Sequence, residues 1–173
     1  MAGRLSEAET IYQTVLQTDP NHPVALHLLG VIAHQVGKND IAIDLISKAL
    51  AVKPDFPEAH SNLGLAYQAL GRLDDAQKSF QSALALKSDY FEAHNNLGNT
   101  YKDLGRLDEA IASYTQSIQI NPAYGEAHSN KGLVLRELEN LEEAMACFQK
   151  ALEINPGHFK SHNSLGLTYW DLR

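Results

Sequence analysis

The chain has 173 residues, 44% hydrophobic and 20% charged, with a formal net charge of −7, as expected of a soluble globular protein. The acidic balance argues against nucleic acid or an anionic membrane as the main partner. The apolar runs are too short to span a bilayer, and residues 1–20 lack the apolar core of a signal peptide. The single cysteine, Cys147, excludes an internal disulfide. We therefore expect a cytoplasmic protein.

A period of 34 residues runs through the whole chain, carried by small residues that recur in register. The glycines of this series are Gly30, Gly64, Gly98, Gly132 and Gly166. The alanines are Ala42, Ala76, Ala110 and Ala144, preceded by Ala8. A fixed period of this length is typical of a stacked solenoid in which each repeat is one supersecondary unit.

The period divides the chain into predicted repeats. We number the positions within each repeat from its first residue. Residues 5–18 read as the second helix of a repeat whose first helix is absent, and residues 159–171 as a first helix without its second. Four full repeats lie between them, at 23–56, 57–90, 91–124 and 125–158. No linker interrupts the period, so we expect one array over 1–173, a window cut from a longer one.

Each repeat is predicted to form two helices, as residues 91–124 illustrate. Apolar residues recur at three- and four-residue intervals in 91–104 and again in 107–120, which indicates two amphipathic helices. Gly105 follows the first helix, where a left-handed residue is easily adopted by glycine. Asn121-Pro122 ends the second helix, because proline disfavours helical geometry in the residue before it.

The glycine inside each first helix predicts a close approach between the two helices of a repeat. Gly98 costs about 1 kcal/mol relative to alanine in a helix interior. That cost is tolerable if the missing Cβ lets the paired helix come near, and we expect Ala110 opposite it. Tyr101 and Tyr114 are then expected to fill the wider space between repeats.

These residues resemble the tetratricopeptide repeat (TPR), with Leu63-Gly64, Tyr67, Ala76, Phe80 and Ala83 as one set. The resemblance covers essentially the whole chain. It implies an all-α, right-handed superhelical solenoid of antiparallel helix pairs that binds a peptide or protein partner in a concave groove. The chain departs from the family pattern at three positions, where Lys131 replaces a leucine, Glu139 replaces the turn glycine and Ser117 replaces an alanine.

The family's geometry implies that the groove is lined by the second, fifth, sixth, ninth, twelfth and thirteenth residues of each first helix. The sixth position holds Asn62, Asn96 and Asn130 in three consecutive repeats. An amide side chain offers two donors and an acceptor, which matches the backbone of an extended peptide. We expect this asparagine ladder to bind peptide backbone, against the alternative of simple solvated residues. The other expected groove residues are Asn95, Asn99, Lys102, Arg136, Leu65 and Leu133.

Two subgroups of the family offer more specific comparisons. The ladder, with His60-Ser61-Asn62-Leu63-Gly64 around its first asparagine, resembles the repeat region of O-linked N-acetylglucosamine transferases, although bacterial TPR arrays share these words. A substrate-recognition arm of such an enzyme would need a catalytic domain that this sequence lacks. The carboxylate clamp for chaperone C-termini is poorly matched, because two of its three cations are missing.

No catalytic or metal-binding motif stands out, so we expect a non-enzyme without a cofactor. His60, His94, His128 and His162 lie one repeat apart, which on stacked helices separates them by on the order of 10 Å. That distance is too long for a shared metal, so structural histidines are expected.

A structural function is the alternative to peptide binding. The end segments leave Leu5 and Tyr12 at one end, and Leu165 and Tyr169 at the other, without their paired helices. Uncovered apolar faces of this kind promote association in repeat arrays. Self-association through them is therefore a second hypothesis.

Overall fold

The structure is a computed structural model that describes residues 2–172. All the regular secondary structure in that range is α-helical, as the sequence predicts. The helices are α1 (Ala2–Thr18), α2 (Pro23–Gln35), α3 (Asn39–Val52), α4 (Pro57–Ala69), α5 (Leu73–Leu86), α6 (Phe91–Asp103), α7 (Leu107–Ile120), α8 (Gly125–Glu137), α9 (Leu141–Ile154) and α10 (Phe159–Asp171). Only α1 departs clearly from expectation, because it begins three residues before the predicted start at residue 5. None of the helices in the described range is long and apolar enough to cross a membrane.

The helices fall into two compact units, one ending at Ser88 and the other beginning at Asp89. In the first unit, α2 packs on α3 and α4 on α5, with α1 against α2 and α3 against α4. In the second unit, α6 packs on α7 and α8 on α9, while α7 joins α8 and α10 covers α9. The single array over 1–173 stays a prediction, and its end residues Met1 and Arg173 lie outside the described residues.

The turn between the two helices of a repeat requires a left-handed residue. Gly71 and Gly105 adopt φ angles of 70° and 73° there, as expected of glycine after a helix. Glu139 takes the same position in the fourth full repeat and is held at φ 61°. A left-handed conformation costs a residue with a side chain roughly 1–2 kcal/mol, so this turn carries local strain that the other turns avoid.

The helical glycines allow a large side chain of the paired helix to approach the backbone. A Cβ built on Gly98 would lie 2.6 Å from the ring of Tyr114, well inside van der Waals contact. The nearest side chain to Gly98 is therefore Tyr114, which the sequence had placed in the space between repeats. The same relation pairs Gly30 with Ile46, Gly64 with Phe80 and Gly132 with Phe148. The expected alanine also approaches the glycine in the first full repeat, where the carbonyl oxygen of Ala42 lies 3.2 Å from a Cβ built on Gly30.

The histidines at the fourth position of the first helices tie down the preceding loop. The Nε2 atom of His60 lies 3.0 Å from the carbonyl oxygen of Pro54, six residues earlier in the chain. His128 and His162 make the same bond to Pro122 and Pro156, at 3.1 and 2.8 Å. Because a carbonyl only accepts, the imidazole N–H must donate. These histidines are structural.

Two glycine-to-alanine substitutions test the close approach between the helical glycine and the side chain of the paired helix. Alanine at position 98 should lower the stability by about 1–3 kcal/mol, because its methyl overlaps a ring that cannot withdraw. The matched control is Gly166→Ala in α10, where an added Cβ meets nothing within 4 Å. That change should be neutral or stabilising, since alanine is the better helix former. Thermal unfolding followed by circular dichroism measures both, and equal melting temperatures for the two variants would contradict the packing argument.

Candidate functional site

The sixth-position asparagine of the first unit is anchored to the preceding first helix. Asn62 on α4 is half-buried, and its Nδ2 lies 2.8 Å from Nε2 of His27 on α2. The amide donates this bond, so Nε2 must be unprotonated. Burial lowers the pKa of His27 below its ordinary value, while the nearby Glu58 carboxylate acts in the opposite direction. The neutral imidazole is therefore the form that this contact uses.

The second unit repeats this arrangement with different chemistry. Asn130 on α8 donates from Nδ2 to the Oδ1 of Asn95 on α6, at 3.0 Å. Asn95 is only 1% exposed, and its own Nδ2 lies 3.5 Å from the Oδ1 of Asn96, at the limit for a hydrogen bond. The pattern is thus a sixth-position amide held by a fifth-position acceptor of the preceding repeat.

The fifth position itself is buried in the first helices α2, α4, α6 and α8. The expectation that it faces the groove is wrong for these helices, since little of its surface reaches solvent. Asn95, expected to contact a ligand, instead positions Asn130. The buried residues at this position are His27, Ser61, Asn95 and Ser129.

Asn99 has a structural partner within its own repeat. Its Oδ1 accepts a hydrogen bond of 2.8 Å from the hydroxyl of Tyr114, the ring that lies on Gly98. Burial raises the pKa of this hydroxyl well above its ordinary value, which keeps it protonated as a donor. The equivalent residues Leu65 and Leu133 are half-buried and belong to repeats with Phe80 and Phe148, which have no hydroxyl to satisfy.

Three of the expected groove residues line one cavity of about 940 Å³ in the second unit. They are Lys102 of α6 with Leu133 and Arg136 of α8, and Asp171 of α10 joins them. Arg136 Nε lies 3.6 Å from Asp171 Oδ2, and both side chains remain partly exposed. Glu137 and Glu139 also line it, so the cavity carries two cations and three carboxylates beside the apolar Leu133 and Leu141.

We use the name first-helix face for the surface that bears the sixth, ninth and twelfth positions. In the second unit it includes Asn96, Asn130, Asn99, Leu133, Lys102 and Arg136, and in the first unit Asn62 and Leu65. Sequence reasoning missed His27 and Asp171. The first departs from the small or amide residues of the fifth position, and the second lies at the thirteenth position, which the repeat geometry had marked as groove-facing.

The histidines of the repeat series are engaged with loop carbonyls at His60, His128 and His162. Among residues 2–172, no three histidine, cysteine or acidic side chains come together in a way that could hold a metal ion.

Comparison with known proteins identifies the repeats. Family models described as tetratricopeptide repeat match residues 55–123 and 125–158, and one described as TPR repeat matches 32–71. The crystal structure of MamA superposes with a TM-score of 0.81 at 31% identity, over 90% of this chain and 91% of that one. The chain belongs to the tetratricopeptide repeat proteins.

Two further TPR structures resemble it. TTC0263, a thermophilic TPR protein of Thermus thermophilus, is 25% identical, with a TM-score of 0.80 over 98% of this chain and 92% of its own. YrrB, described as a TPR protein with an unusual peptide-binding site, is 24% identical, with a TM-score of 0.77 over 94% and 84%. No curated protein matches the chain. The TPR fold predicted from the sequence is confirmed, and TPR proteins generally serve as protein-interaction scaffolds.

The bond between Asn62 and His27 predicts a pH dependence of stability for this TPR protein. Below pH 6.5 the unfolded chain takes up a proton at His27 that the folded chain resists, so the free energy of unfolding falls on acidification. His27→Gln keeps an acceptor for Asn62 without titrating. The variant should therefore lose less stability than the wild type between about pH 7.5 and 5, measured by urea unfolding.

Residual dependence in the variant has an expected source. Burial also lowers the pKa of His128, which contributes with the same sign. If the wild type and His27→Gln lose stability equally on acidification, the neutral imidazole does not support Asn62.

Proposed function

We propose that this TPR protein is a non-catalytic scaffold that binds an extended segment of a partner protein on its first-helix face. In each unit the half-buried asparagines bind the peptide backbone, and the leucines of the ninth position contact its side chains. The likeness to O-linked N-acetylglucosamine transferases stays a prediction from sequence and is not needed for this function.

The observation that carries the proposal is the anchoring of the sixth-position amides. Asn62 and Asn130 each use one Nδ2 hydrogen on a neighbouring first helix, at 2.8 and 3.0 Å. The amide oxygen and the second hydrogen can then bind a ligand. Since the amide plane is already oriented, less rotamer entropy is lost on binding than with a freely rotating side chain.

The charged cavity of the second unit supplies a place for a side chain of the bound segment. Exposed ion pairs contribute little to stability, so the contact between Arg136 and Asp171 is readily exchanged. The lining places the cations Lys102 and Arg136 beside three carboxylates, and Leu133 offers an apolar contact. We therefore favour a polar side chain of the bound segment at this place over a purely apolar one.

YrrB shares the fold of this chain and is described as a TPR protein with an unusual peptide-binding site. This likeness supports peptide binding as a function of the fold. At 24% identity that likeness carries no residue roles. The choice of face and of side chains rests on the hydrogen bonds and the cavity of this chain.

The test begins with peptides selected from a random display library against the wild-type protein. Fluorescence anisotropy then measures the affinity of a labelled peptide for Asn96→Ala and Asn130→Ala in the second unit, and for Asn62→Ala in the first. Each substitution that removes a hydrogen bond to the peptide should weaken binding by about twofold to tenfold, the value of one such bond. Methylating the peptide amide opposite the asparagine should cause a similar loss.

Exposed amides on a second helix provide the control. Gln116 and Gln119 lie exposed on α7, away from the first helices. Their alanine variants should bind the peptide as the wild type does. If all the asparagine variants also keep wild-type affinity while folded, the first-helix face is not the binding site.

Self-association is a second candidate function, favoured by α10. Gly166 is the one member of the helical glycine series that meets no side chain within 4 Å, whereas each of the others faces a large residue. Phe159 and Trp170 on the same helix are 80% and 72% exposed. A second copy that covered this helix would bury apolar surface, which drives association.

Sedimentation velocity across a range of concentrations tests this candidate. Association through α10 predicts a rise of the sedimentation coefficient with concentration, and Gly166→Leu should suppress it by filling the open space beside the glycine. A wild-type protein that stays monomeric at the highest concentration is the outcome that removes self-association.

A further inference from the structure

In α4 and α6 the eleventh position is a tyrosine whose ring contacts an arginine of the following turn. In the first unit Tyr67 of α4 packs against the buried cluster of Ile46, Ala59 and Leu63. The guanidinium of Arg72 lies over its other side, 4.5 Å from the ring centroid, and Asp75 holds that guanidinium at 2.7 Å. The ring thus contacts both a buried apolar cluster and a guanidinium group, which we call the cationic cover.

The second unit encloses its ring with the same cover. Arg106 lies 4.5 Å from the centroid of Tyr101, and Glu109 pairs with Arg106. Two repeats therefore fill this site with a phenol ring of their own.

The first full repeat lacks the ring. Ala33 of α2 stands where the second and third full repeats have Tyr67 and Tyr101 and the fourth has Leu135. A cavity of about 530 Å³ lies beside it, between α1, α2 and α3. The residues that line the cavity are Leu5, Ser6, Glu9, Gln13, Leu29, Ile32, Ala33, Val36, Lys38, Ile41 and Leu45.

Other positions of this repeat change together with the ring. Ile41 replaces the carboxylate of Asp75, and Leu45 replaces the serine at position 79. Both make the cavity wall more apolar than its counterpart. Lys38 keeps a cation where Arg72 stands, so the cover remains while the ring is gone.

These features fit an aromatic ring better than other ligands. The cavity is lined mainly by aliphatic side chains with a few polar groups at its edge, which is the lining typical of sites that take up apolar and aromatic groups. A lysine ammonium over a ring adds a cation–π attraction that an aliphatic side chain cannot give. Ser6, Glu9 and Gln13 bring polar groups to the α1 side of the cavity, where a phenol hydroxyl needs a partner.

We propose that the cavity between α1, α2 and α3 is a second binding site, which takes an aromatic side chain, tyrosine above all, from a partner polypeptide. The partner supplies from outside the ring that Tyr67 and Tyr101 supply from within. The site belongs to the first unit and uses none of the residues of the first-helix face, so it stands independently of the function proposed above.

The first experiment uses p-cresol, the tyrosine side chain as a free molecule, titrated into the full chain. Methyl NMR should show shifts concentrated on Ile32, Val36, Ile41 and Leu45. Ala33→Tyr should abolish these shifts and keep or raise the melting temperature, because it supplies the ring that the second and third full repeats carry. Ala51→Tyr on the exposed side of α3 is the control, and it should bind p-cresol as the wild type does.

Two further variants keep the proposal testable if Ala33→Tyr does not fold. Ile41→Asp restores the carboxylate of the other repeats at a half-exposed position and should weaken p-cresol binding. Lys38→Gln should weaken p-cresol by about twofold to fivefold, the size of an exposed cation–π contact, and leave 4-methylcyclohexanol unchanged. Absence of p-cresol shifts in the wild type, or equal shifts in the folded Ala33→Tyr variant, overturns the site.

The nature of the occupant is tested with peptides selected on the wild type and counter-selected on Ala33→Tyr. Enrichment of tyrosine or another aromatic residue supports a partner polypeptide, and selected peptides without aromatics overturn it. If Ala33→Tyr instead dissociates a wild-type oligomer in sedimentation, the ring comes from a second copy, and the proposal of a different partner fails.

Discussion

The contact between a helical glycine and a large side chain of the paired helix is the constraint on which the rest of this fold depends. An added Cβ would lie 2.5–2.8 Å from that side chain in the four full repeats. Glycine costs about 1 kcal/mol in a helix, whereas a buried aromatic or isoleucine side chain contributes about 1.5–3 kcal/mol, so burial prevails. The closeness sets the distance between the two helices, and with it which side chains remain available on the first-helix face. Asn99 illustrates this, since it satisfies the hydroxyl of the ring seated on Gly98.

The features that could be predicted from the sequence are those encoded locally. Helix ends follow from Gly105 and from Asn121-Pro122, because glycine and proline act on neighbouring backbone. The amide contacts could not be predicted in this way, since Asn62 reaches His27 and Asn130 reaches Asn95 across 35 positions of the chain. The period identifies the residues at the sixth position, but it does not show which side chains form hydrogen bonds with them. The burial of the fifth position, which the family geometry had suggested was open, is likewise a property of packing between helices that are distant in sequence.

Departures from the period were harder to interpret than the period itself. The sequence identifies Glu139 as a replacement for glycine, and its backbone is left-handed in the structure. Ala33 gives no signal in the sequence, because alanine is common in helices. Its significance appears only in three dimensions, where the missing ring coincides with an apolar wall formed by Ile41 and Leu45 and with the ammonium-bearing Lys38. In a repeat protein, an exception at one position gains meaning when the residues around it have changed in a compatible direction.

The bond from the fourth-position histidine to the proline carbonyl has a mechanical consequence. It bridges the loop that connects a second helix to the next first helix, as between α3 and α4 and between α7 and α8. An imidazole N–H can donate this bond whether the ring is neutral or protonated, so the bridge persists in acid where the acceptor role of His27 does not. The loop therefore stays attached to the following first helix across a wide range of pH. A partner segment bound as proposed across two neighbouring first helices would then lose less affinity to rearrangement of the loop between them.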